Sequence, residues 1–235
     1  DITEVERKAV EDAARSAGAR EVHIVEEPMA AAIGARLPIN EAIASLVVDI
    51  GGGTTDIAVI SLSGIVSWKS IKIAGDELNK NIVQYAKEVF NLLIGEGHAE
   101  NVKSKIGSTF DFTDEELEYP LRGRDLITGL PREVFITSTQ VKEAMQRSIA
   151  IIIDNIKSVL EITPPELMAD IHERGIVLTG GGALLRGLDK TIALATEIPV
   201  RIADDPLTCV VRGAGMLLEN PELLRTVEMP SSFRT

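Results

Sequence analysis

The 235-residue sequence contains little cysteine, few aromatic residues and no long apolar run. Cys209 is its single cysteine, so the chain cannot form an internal disulfide, which fits a reducing compartment. Aromatic residues make up 3%, too few to build a platform for stacked bases. No run reaches the roughly 18 apolar residues of a membrane span, and the first residues, DITEVERKAVEDAARSAGAR, lack the pattern of a signal peptide. These absences predict a cytoplasmic type of protein.

Basic residues are also scarce. The sequence has 24 Lys and Arg against 36 Asp and Glu, a net charge of −12. Duplex nucleic acids are bound through clustered basic side chains, so we predict no nucleic-acid partner. With 45% hydrophobic and 26% charged residues, the composition is that of a globular chain that buries a sizeable core.

The order of apolar patterns predicts the fold class. Apolar runs split by Gly and Ser turns predict a β-meander over residues 44–72, and EVHIVEEP predicts a short strand before it. Helical spacing follows over 76–106, and strands are predicted around the Thr-Gly-Leu-Pro turn of 128–131. A long helix over 141–162 then precedes alternating strands and helices. This order predicts an α/β body with a smaller α+β insertion.

The stretch VVDIGGGTTDIAVIS, residues 47–61, suggests an anion site between two strands. It lacks the Lys-Ser/Thr ending of a P-loop, and it has Asp56 where a dinucleotide fingerprint needs its last glycine. Gly51, Gly52 and Gly53 let backbone amides approach an anion, while Thr54 and Thr55 add hydroxyl donors. Asp49 could hold a hydrated Mg²⁺ through water. An ordinary tight hairpin remains the alternative.

A second glycine-rich stretch, IVLTGGGALL at residues 176–185, predicts a strand, a turn and the start of a helix that runs on through ALLRGLDKTIALATEI. Backbone amides in such a turn favour a phosphate or the polar edge of a nucleotide. A plain strand-to-helix connection is the alternative. Two such turns in one α/β body predict one nucleotide held between them.

Five segments carry a resemblance to a known family: IVEEPMAAAIG, VVDIGGGTTDIAVIS, GRDLITGLP, TPPELMADI and RGIVLTGGGALLRGLDK. In this order they resemble the MreB family of bacterial actin-like cell-shape proteins, part of the actin, Hsp70 and sugar-kinase superfamily. The resemblance implies an actin-like (ribonuclease H-like) ATPase fold. It implies a second large subdomain at 42–77 and 142–208, a small insertion subdomain at 78–141, and remnants of a first large subdomain at 1–41 and 209–235.

The family's first phosphate loop, an Asp-x-Gly-Thr hairpin, does not occur in this sequence. The sequence also opens directly on a helix pattern without its sheet partners. We therefore expect this chain to be the later part of a longer protein, without the membrane-binding N-terminal region, and to have weak or no ATPase activity of its own.

The resemblance also implies roles for individual residues. Glu27 matches the carboxylate that orients the water attacking the γ-phosphate, although its neighbour Glu26 leaves the match ambiguous by one position; a solvated charge before Pro28 is the alternative. Asp49 and Thr54 complete the implied catalytic set, in which Asp49 is the aspartate that holds the metal ion through water. The residues implied to bind the nucleotide are Gly51, Gly52, Gly53, Thr54 and Thr55 at the phosphates, Glu100 and Lys103 at the ribose and purine edge, and Gly180, Gly181, Gly182 and Ala183 at the adenosine side.

Glu100 and Lys103 share one helix face, so an ordinary surface salt pair is the alternative for them. The family has an Arg-Thr pair where this chain has Gly97 and His98, which weakens the assignment.

For the whole protein, the resemblance implies ATP and Mg²⁺ as cofactors, and filaments that maintain cell shape by organising cell-wall synthesis. It implies self-association, inner-membrane cell-shape and cell-wall synthesis proteins as partners, and a cytoplasmic location with attachment to the membrane surface. The alternatives are an Hsp70-like chaperone ATPase, a sugar kinase, or a non-catalytic interaction module.

Overall fold

The structure is a computed structural model that describes residues 3–110 and 116–229. The strands within these ranges are β1 (Ser45–Ile50), β2 (Thr55–Ser61), β3 (Gly64–Ile71), β4 (Leu92–Leu93), β5 (Glu118–Asp125), β6 (Pro131–Thr137), β7 (Ile176–Thr179) and β8 (Val200–Ile202). The α-helices are α1 (Glu4–Ser16), α2 (Glu27–Gly34), α3 (Gly75–Phe90), α4 (Glu96–Ile106), α5 (Ser138–Glu161), α6 (Pro165–Arg174), α7 (Leu188–Thr196), α8 (Cys209–Glu219) and α9 (Pro221–Val227). Short 3-10 helices lie at Gly181–Leu184 and Pro206–Thr208.

A mixed five-stranded sheet forms the body, in the order β3-β2-β1-β7-β8. The first three strands are antiparallel neighbours, which confirms the predicted meander. Strands β7 and β8 join β1 in parallel. The parallel strands β1 and β7 therefore end at the same edge of the sheet, where both glycine-rich turns follow.

Each face of this sheet is covered by helices, because successive side chains of a strand point to opposite faces. Leu46, Val48 and Ile50 of β1 belong to one buried cluster, which includes residues of α3, α5 and α7. Val47 belongs to a second cluster, which includes residues of α2 and α8. Burial on both faces explains why SLVVDI is almost continuously apolar.

The smaller sheet, β4-β5-β6, lies wholly within residues 78–141 and confirms the α+β insertion. Leu92, Leu121 and Ile136 belong to the same buried cluster as Leu46, so the insertion shares its core with the body. The division of the chain into the three subdomains stays a prediction, and residues 1–2, 111–115 and 230–235 of those ranges lie outside the described part.

The β5–β6 turn is held by Asp125, whose carboxylate accepts hydrogen bonds from the amides of Ile127 and Thr128 and from Arg132. The Thr128 amide and Arg132, the largest influences, lower the pKa of Asp125 to about 2. This network explains the turn predicted at 128–131.

Helices α2 and α8 cross with their backbones in contact, at Gly34 and Gly213. A Cβ added to Gly34 would lie 1.8 Å from the carbonyl oxygen of Cys209, and one added to Gly213 would lie 1.9 Å from that of Ala30. Real Cβ atoms never come so close, so both positions require glycine. The crossing places the end of α2 against the first turn of α8, and the first turn of α2 against Gly213.

Trp68, the single tryptophan, lies in β3 opposite Ala58 of β2. It is partly buried and packs against the second cluster. Its indole Nε1 is buried and has no hydrogen-bond partner among the described residues.

Two predictions about secondary structure were wrong. EVHIVEEP is not a strand: only Val25 forms an isolated bridge, with Glu228, because the segment lies apart from both sheets. The helix after TGGG begins at Leu188 and not at Ala183, because Gly187 takes a left-handed conformation with φ of 79°. The alternating strands and helices predicted after residue 162 are present, and the described part of the chain ends in two successive helices, α8 and α9, of which α9 is started by Pro221 and capped by Asn220.

Candidate functional site

A cavity of about 720 Å³ opens where β1 and β7 end. Its volume falls in the range typical of small-molecule and cofactor sites. The residues that line it are Glu27, Asp49, Gly51, Gly52, Gly75, Asp76, Leu78, Glu100, Lys103, Ser104, Lys105, Gly107, Gly180, Gly181, Gly182, Leu184, Leu185, Arg186, Pro206, Leu207 and Val210. The two glycine-rich turns, far apart in sequence, therefore meet in one cavity.

Asp49 lies at the end of β1 and lines the cavity, although only 4% of the residue is exposed. Its Oδ1 is buried and has no hydrogen-bond partner within the described residues. Burial, and then the charges of Glu27 and Asp56, raise the pKa of Asp49 to about 6. The nearby Thr179 hydroxyl acts in the opposite direction, but it too lacks a well-formed hydrogen bond, so burial decides the direction. An unpaired buried carboxylate oxygen beside a cavity is suited to receive a cation or its water.

Glu27, in the first turn of α2, lines the cavity, whereas Glu26, the N-cap residue, does not. This geometry favours Glu27 in the choice between the two. Burial, followed by the charge of Asp56, raises the pKa of Glu27. The side chain nevertheless stays largely exposed, so it remains open to water from the cavity.

The turn after β1 is closed by a hydrogen bond from the Gly51 amide to the Thr54 carbonyl, at 2.9 Å. Within the described part of the chain, the Gly52 and Gly53 amides donate to no carbonyl. Two bonds tie this turn to the start of α3: the Gly75 amide donates to Gly51 at 3.1 Å, and the Asp76 amide donates to Gly52 at 2.8 Å. These contacts fix the turn beside the cavity and leave the backbone amides of Gly52 and Gly53 without a carbonyl partner among the described residues.

The turn after β7 packs directly against β1, which explains two of its three glycines. Gly180 has φ of 78°, and a Cβ there would lie 2.5 Å from Oδ1 of Asp49. A Cβ on Gly182 would lie 2.2 Å from Cγ2 of Ile50. Close packing, in addition to any ligand, therefore requires glycine at these positions.

Glu100 and Lys103, both on α4, form the ion pair that the alternative interpretation predicted, with 2.7 Å between Nζ and Oε2. Both also line the cavity. His98 does not line it: its Nε2 accepts a hydrogen bond from the Arg122 amide at 3.1 Å and so ties α4 to β5.

Some predicted site residues are not brought to the cavity wall: Gly53, Thr54, Thr55 and Ala183. Thr55 is fully buried and its hydroxyl donates to the Ile73 carbonyl at 2.8 Å, so it fastens β2 within the fold. Ala183 is likewise fully buried. For these two side chains the structure gives a packing role and no access to a ligand in the cavity.

Sequence reasoning missed much of the wall, including Gly75, Asp76, Lys105 and Arg186. The motif AGDEL after the third strand of the meander was a usable signal, because it starts a helix, and the free backbone amides at a helix N-terminus favour an anion. The sequence held no comparable signal for Lys105, because residues two apart on a helix point to different faces, and Arg186 is brought in by the turn at Gly187.

The cavity wall carries four carboxylates, from Glu27, Asp49, Asp76 and Glu100, and three basic side chains. Among the side chains that the structure describes, no three His, Cys, Asp or Glu residues are grouped to hold a metal. A polyphosphate would need a cation to approach these carboxylates, and Mg²⁺, which keeps most of its waters, fits a site with one carboxylate and the phosphates themselves.

Comparison with known proteins identifies the family. Residues 1–226 match the family model described as MreB/Mbl protein. The chain belongs to the MreB/Mbl family. It is 52% identical over 217 residues to the cell shape-determining protein MreB of Escherichia coli strain K12, covering 92% of this chain and 62% of that relative. The chain thus spans about three fifths of the length of that curated relative.

Solved structures of the family and its neighbours confirm the actin-like fold. MreB5 of Spiroplasma citri bound to AMPPNP matches with a TM-score of 0.91 and 39% identity, over 94% of this chain and 66% of that one. The MamK double helical filament matches with a TM-score of 0.77 at 24% identity, over 93% of this chain and 66% of that one, a likeness of fold alone. Within residues 3–110 and 116–229, none of the helices combines the length and apolar character needed to cross a bilayer.

Proposed function

We propose that this MreB/Mbl chain binds ATP, as its magnesium complex, in the cavity between the two glycine turns, and that the whole protein forms nucleotide-dependent filaments that maintain cell shape. The observation that carries the proposal is the unpaired, buried Oδ1 of Asp49 in a cavity walled by both glycine turns. Family membership supports it, as does AMPPNP bound to the related MreB5.

Each part of the cavity has a role in this proposal. The open amide of Gly52 donates to a phosphate oxygen, and Gly181 and Gly182 lie beside the adenosine. Asp49 accepts hydrogen bonds from water bound to Mg²⁺, which, when present, neutralises charge on the phosphates. Glu27 orients the water that attacks the γ-phosphate, because its carboxylate is exposed in the cavity at the start of α2.

The proposals of self-association and of a role in cell shape rest on membership of the MreB/Mbl family and on the names of related proteins. Filament growth by the whole protein, attachment to the membrane surface, and contact with inner-membrane cell-shape and cell-wall synthesis proteins are included in the proposal. Sedimentation of the whole protein with ATP, ADP and no nucleotide tests the filament part, with more polymer expected in ATP.

Replacement of Asp49 by asparagine is expected to weaken magnesium-dependent nucleotide binding by tenfold or more. The exchange keeps the side-chain shape but removes the charge that faces the hydrated cation, and a hydrogen bond to a charged group contributes about 1.5–3 kcal/mol. The measurement is titration of the chain with a fluorescent ATP analogue, with and without Mg²⁺.

Asp154→Asn is the matched control, because Asp154 is exposed on α5 and does not line the cavity. We expect it to bind like the parent chain. Equal binding by the parent chain and Asp49→Asn at every Mg²⁺ concentration would contradict the proposed metal side of the site.

A further inference from the structure

Lys103 lines the cavity, but its ammonium group is engaged within the protein. Only 12% of the side chain is exposed. Its Nζ donates to the carbonyl oxygen of Gly75 at 3.0 Å and to Oε2 of Glu100 at 2.7 Å. Two of its three donors are therefore used before any ligand arrives.

Gly75 connects this ammonium group to the turn after β1. Its carbonyl accepts from Lys103, while its amide donates to the Gly51 carbonyl at 3.1 Å. A Cβ added to Gly75 would lie 3.3 Å from Nζ of Lys103 and 3.3 Å from the Gly51 oxygen. Because Gly75 has no side chain, Lys103 and the Gly51 carbonyl can both approach its backbone. The hydrogen bonds therefore form a continuous path from α4 to the turn after β1.

Glu100 holds the other side of the ammonium group. Its carboxylate also accepts hydrogen bonds from Nδ2 of Asn79, at 2.7 Å, and from the hydroxyl of Ser104, at 3.2 Å. Burial alone would raise the pKa of Glu100, but these bonds and the one from Lys103 outweigh it and lower the pKa. The carboxylate therefore stays charged and keeps Lys103 directed at Gly75.

We infer that Lys103 is a positioning residue for the turn after β1, acting through the carbonyl of Gly75 to hold the Gly51–Gly52 backbone along the cavity wall. This differs from the contact with the ribose and purine edge that the resemblance implies. The inference rests on the proposed function for its ligand, although the positioning itself is a property of the chain without nucleotide. Because α4 lies within residues 78–141, the path also connects the turn to the predicted insertion.

Hydrogen exchange in the chain without nucleotide tests the positioning directly. Lys103→Met keeps the aliphatic stem and removes the donor, so we expect the Gly75 and Asp76 amides to exchange about tenfold faster, since a charged hydrogen bond is lost. Lys103→Arg retains a donor and is expected to restore most of the protection. Lys105→Met removes the same charge from the same wall, and we expect it to leave both amides unchanged. Unchanged exchange in Lys103→Met would overturn the inference.

Nucleotide binding separates positioning from ribose contact. A positioning residue lowers the affinity for ATP and for 2′,3′-dideoxy-ATP by the same factor, here about tenfold. A residue that contacts the ribose hydroxyls lowers the affinity for ATP only, and that result would overturn the inference. If the parent chain binds neither nucleotide, the proposed function fails, while the exchange experiment still decides the positioning.

Discussion

Replacement of Gly213 by alanine is expected to lower the free energy of unfolding by about 3 kcal/mol, the upper part of the range for overpacked sites. The new Cβ would lie 1.9 Å from the Ala30 carbonyl oxygen, and 3.0 Å from the Gly34 amide nitrogen. Both are backbone atoms, so no side chain can rotate away. Helices α2 and α8 must separate, which exposes apolar surface of the second cluster to water. Urea unfolding followed by circular dichroism measures the loss.

Gly215→Ala is the matched control on the same helix. Gly215 is exposed, and a Cβ there would have nothing within 4 Å. Alanine has the higher helix propensity, so this exchange is expected to stabilise the chain by about 0.5–1 kcal/mol. Effects of opposite sign at two glycines two residues apart would locate the helix crossing at Gly213. Equal effects would show that the backbones do not touch at Gly213.

Asp49→Asn is expected to raise the stability of the chain without nucleotide at pH 7, by at most about 3 kcal/mol. In the folded chain the pKa of Asp49 rises from 3.8 to about 6, mainly because the carboxyl group is buried. A raised acidic pKa means that ionisation costs stability. The cost is absent below the unfolded pKa and grows as pH rises from about 4 to about 6, and it stays constant above that.

The measurement is the free energy of unfolding between pH 4 and pH 7.5 for the parent chain, Asp49→Asn and Asp154→Asn. We expect the free energy of unfolding of the parent chain and of Asp154→Asn to include a fall from about pH 4 to about pH 6, caused by the ionisation of Asp49. Asp49→Asn should lack this fall. Magnesium-nucleotide binding should strengthen over the same window, because the ionised form of Asp49 is the one that binds. Parallel pH profiles for all three proteins would contradict the assignment of this pKa to Asp49.

The opposed effects of Asp49→Asn on stability and on binding have one cause. A buried carboxylate with one oxygen unpaired among the described residues destabilises the chain without nucleotide, but it favours a ligand that brings a positive charge. We expect the positive charge of the bound magnesium nucleotide to offset the cost of ionising Asp49.

The sequence was sufficient to predict the meander, the long helix near 141–162 and the convergence of the two glycine turns. These features depend on local periodicity and on parallel strands that end at one edge of the sheet. The residues Asp49, Gly51 and Gly180 could therefore be placed together before the structure was known.

Other features depend on contacts between distant segments. The helix starts at Leu188 because Gly187 is left-handed, and Arg186 just before it pairs with the distant Ser108 in an isolated bridge. The contact of Gly34 with Gly213 joins segments that share no local pattern. Thr55 follows the glycines in sequence, but strand alternation buries its hydroxyl against Ile73. Neither side-chain orientation nor long-range packing can be derived from spacing alone.

The position of Trp68 gives the protein an internal optical probe. It is the single tryptophan, it lies in the edge strand β3, and its buried indole nitrogen has no hydrogen-bond partner within residues 3–110 and 116–229. Entry of water at that edge would hydrate the indole and shift its emission to longer wavelength. The separation of β3 from β2 can thus be followed by tryptophan fluorescence without an added label. The three-stranded sheet contains no tryptophan and does not contribute to this signal.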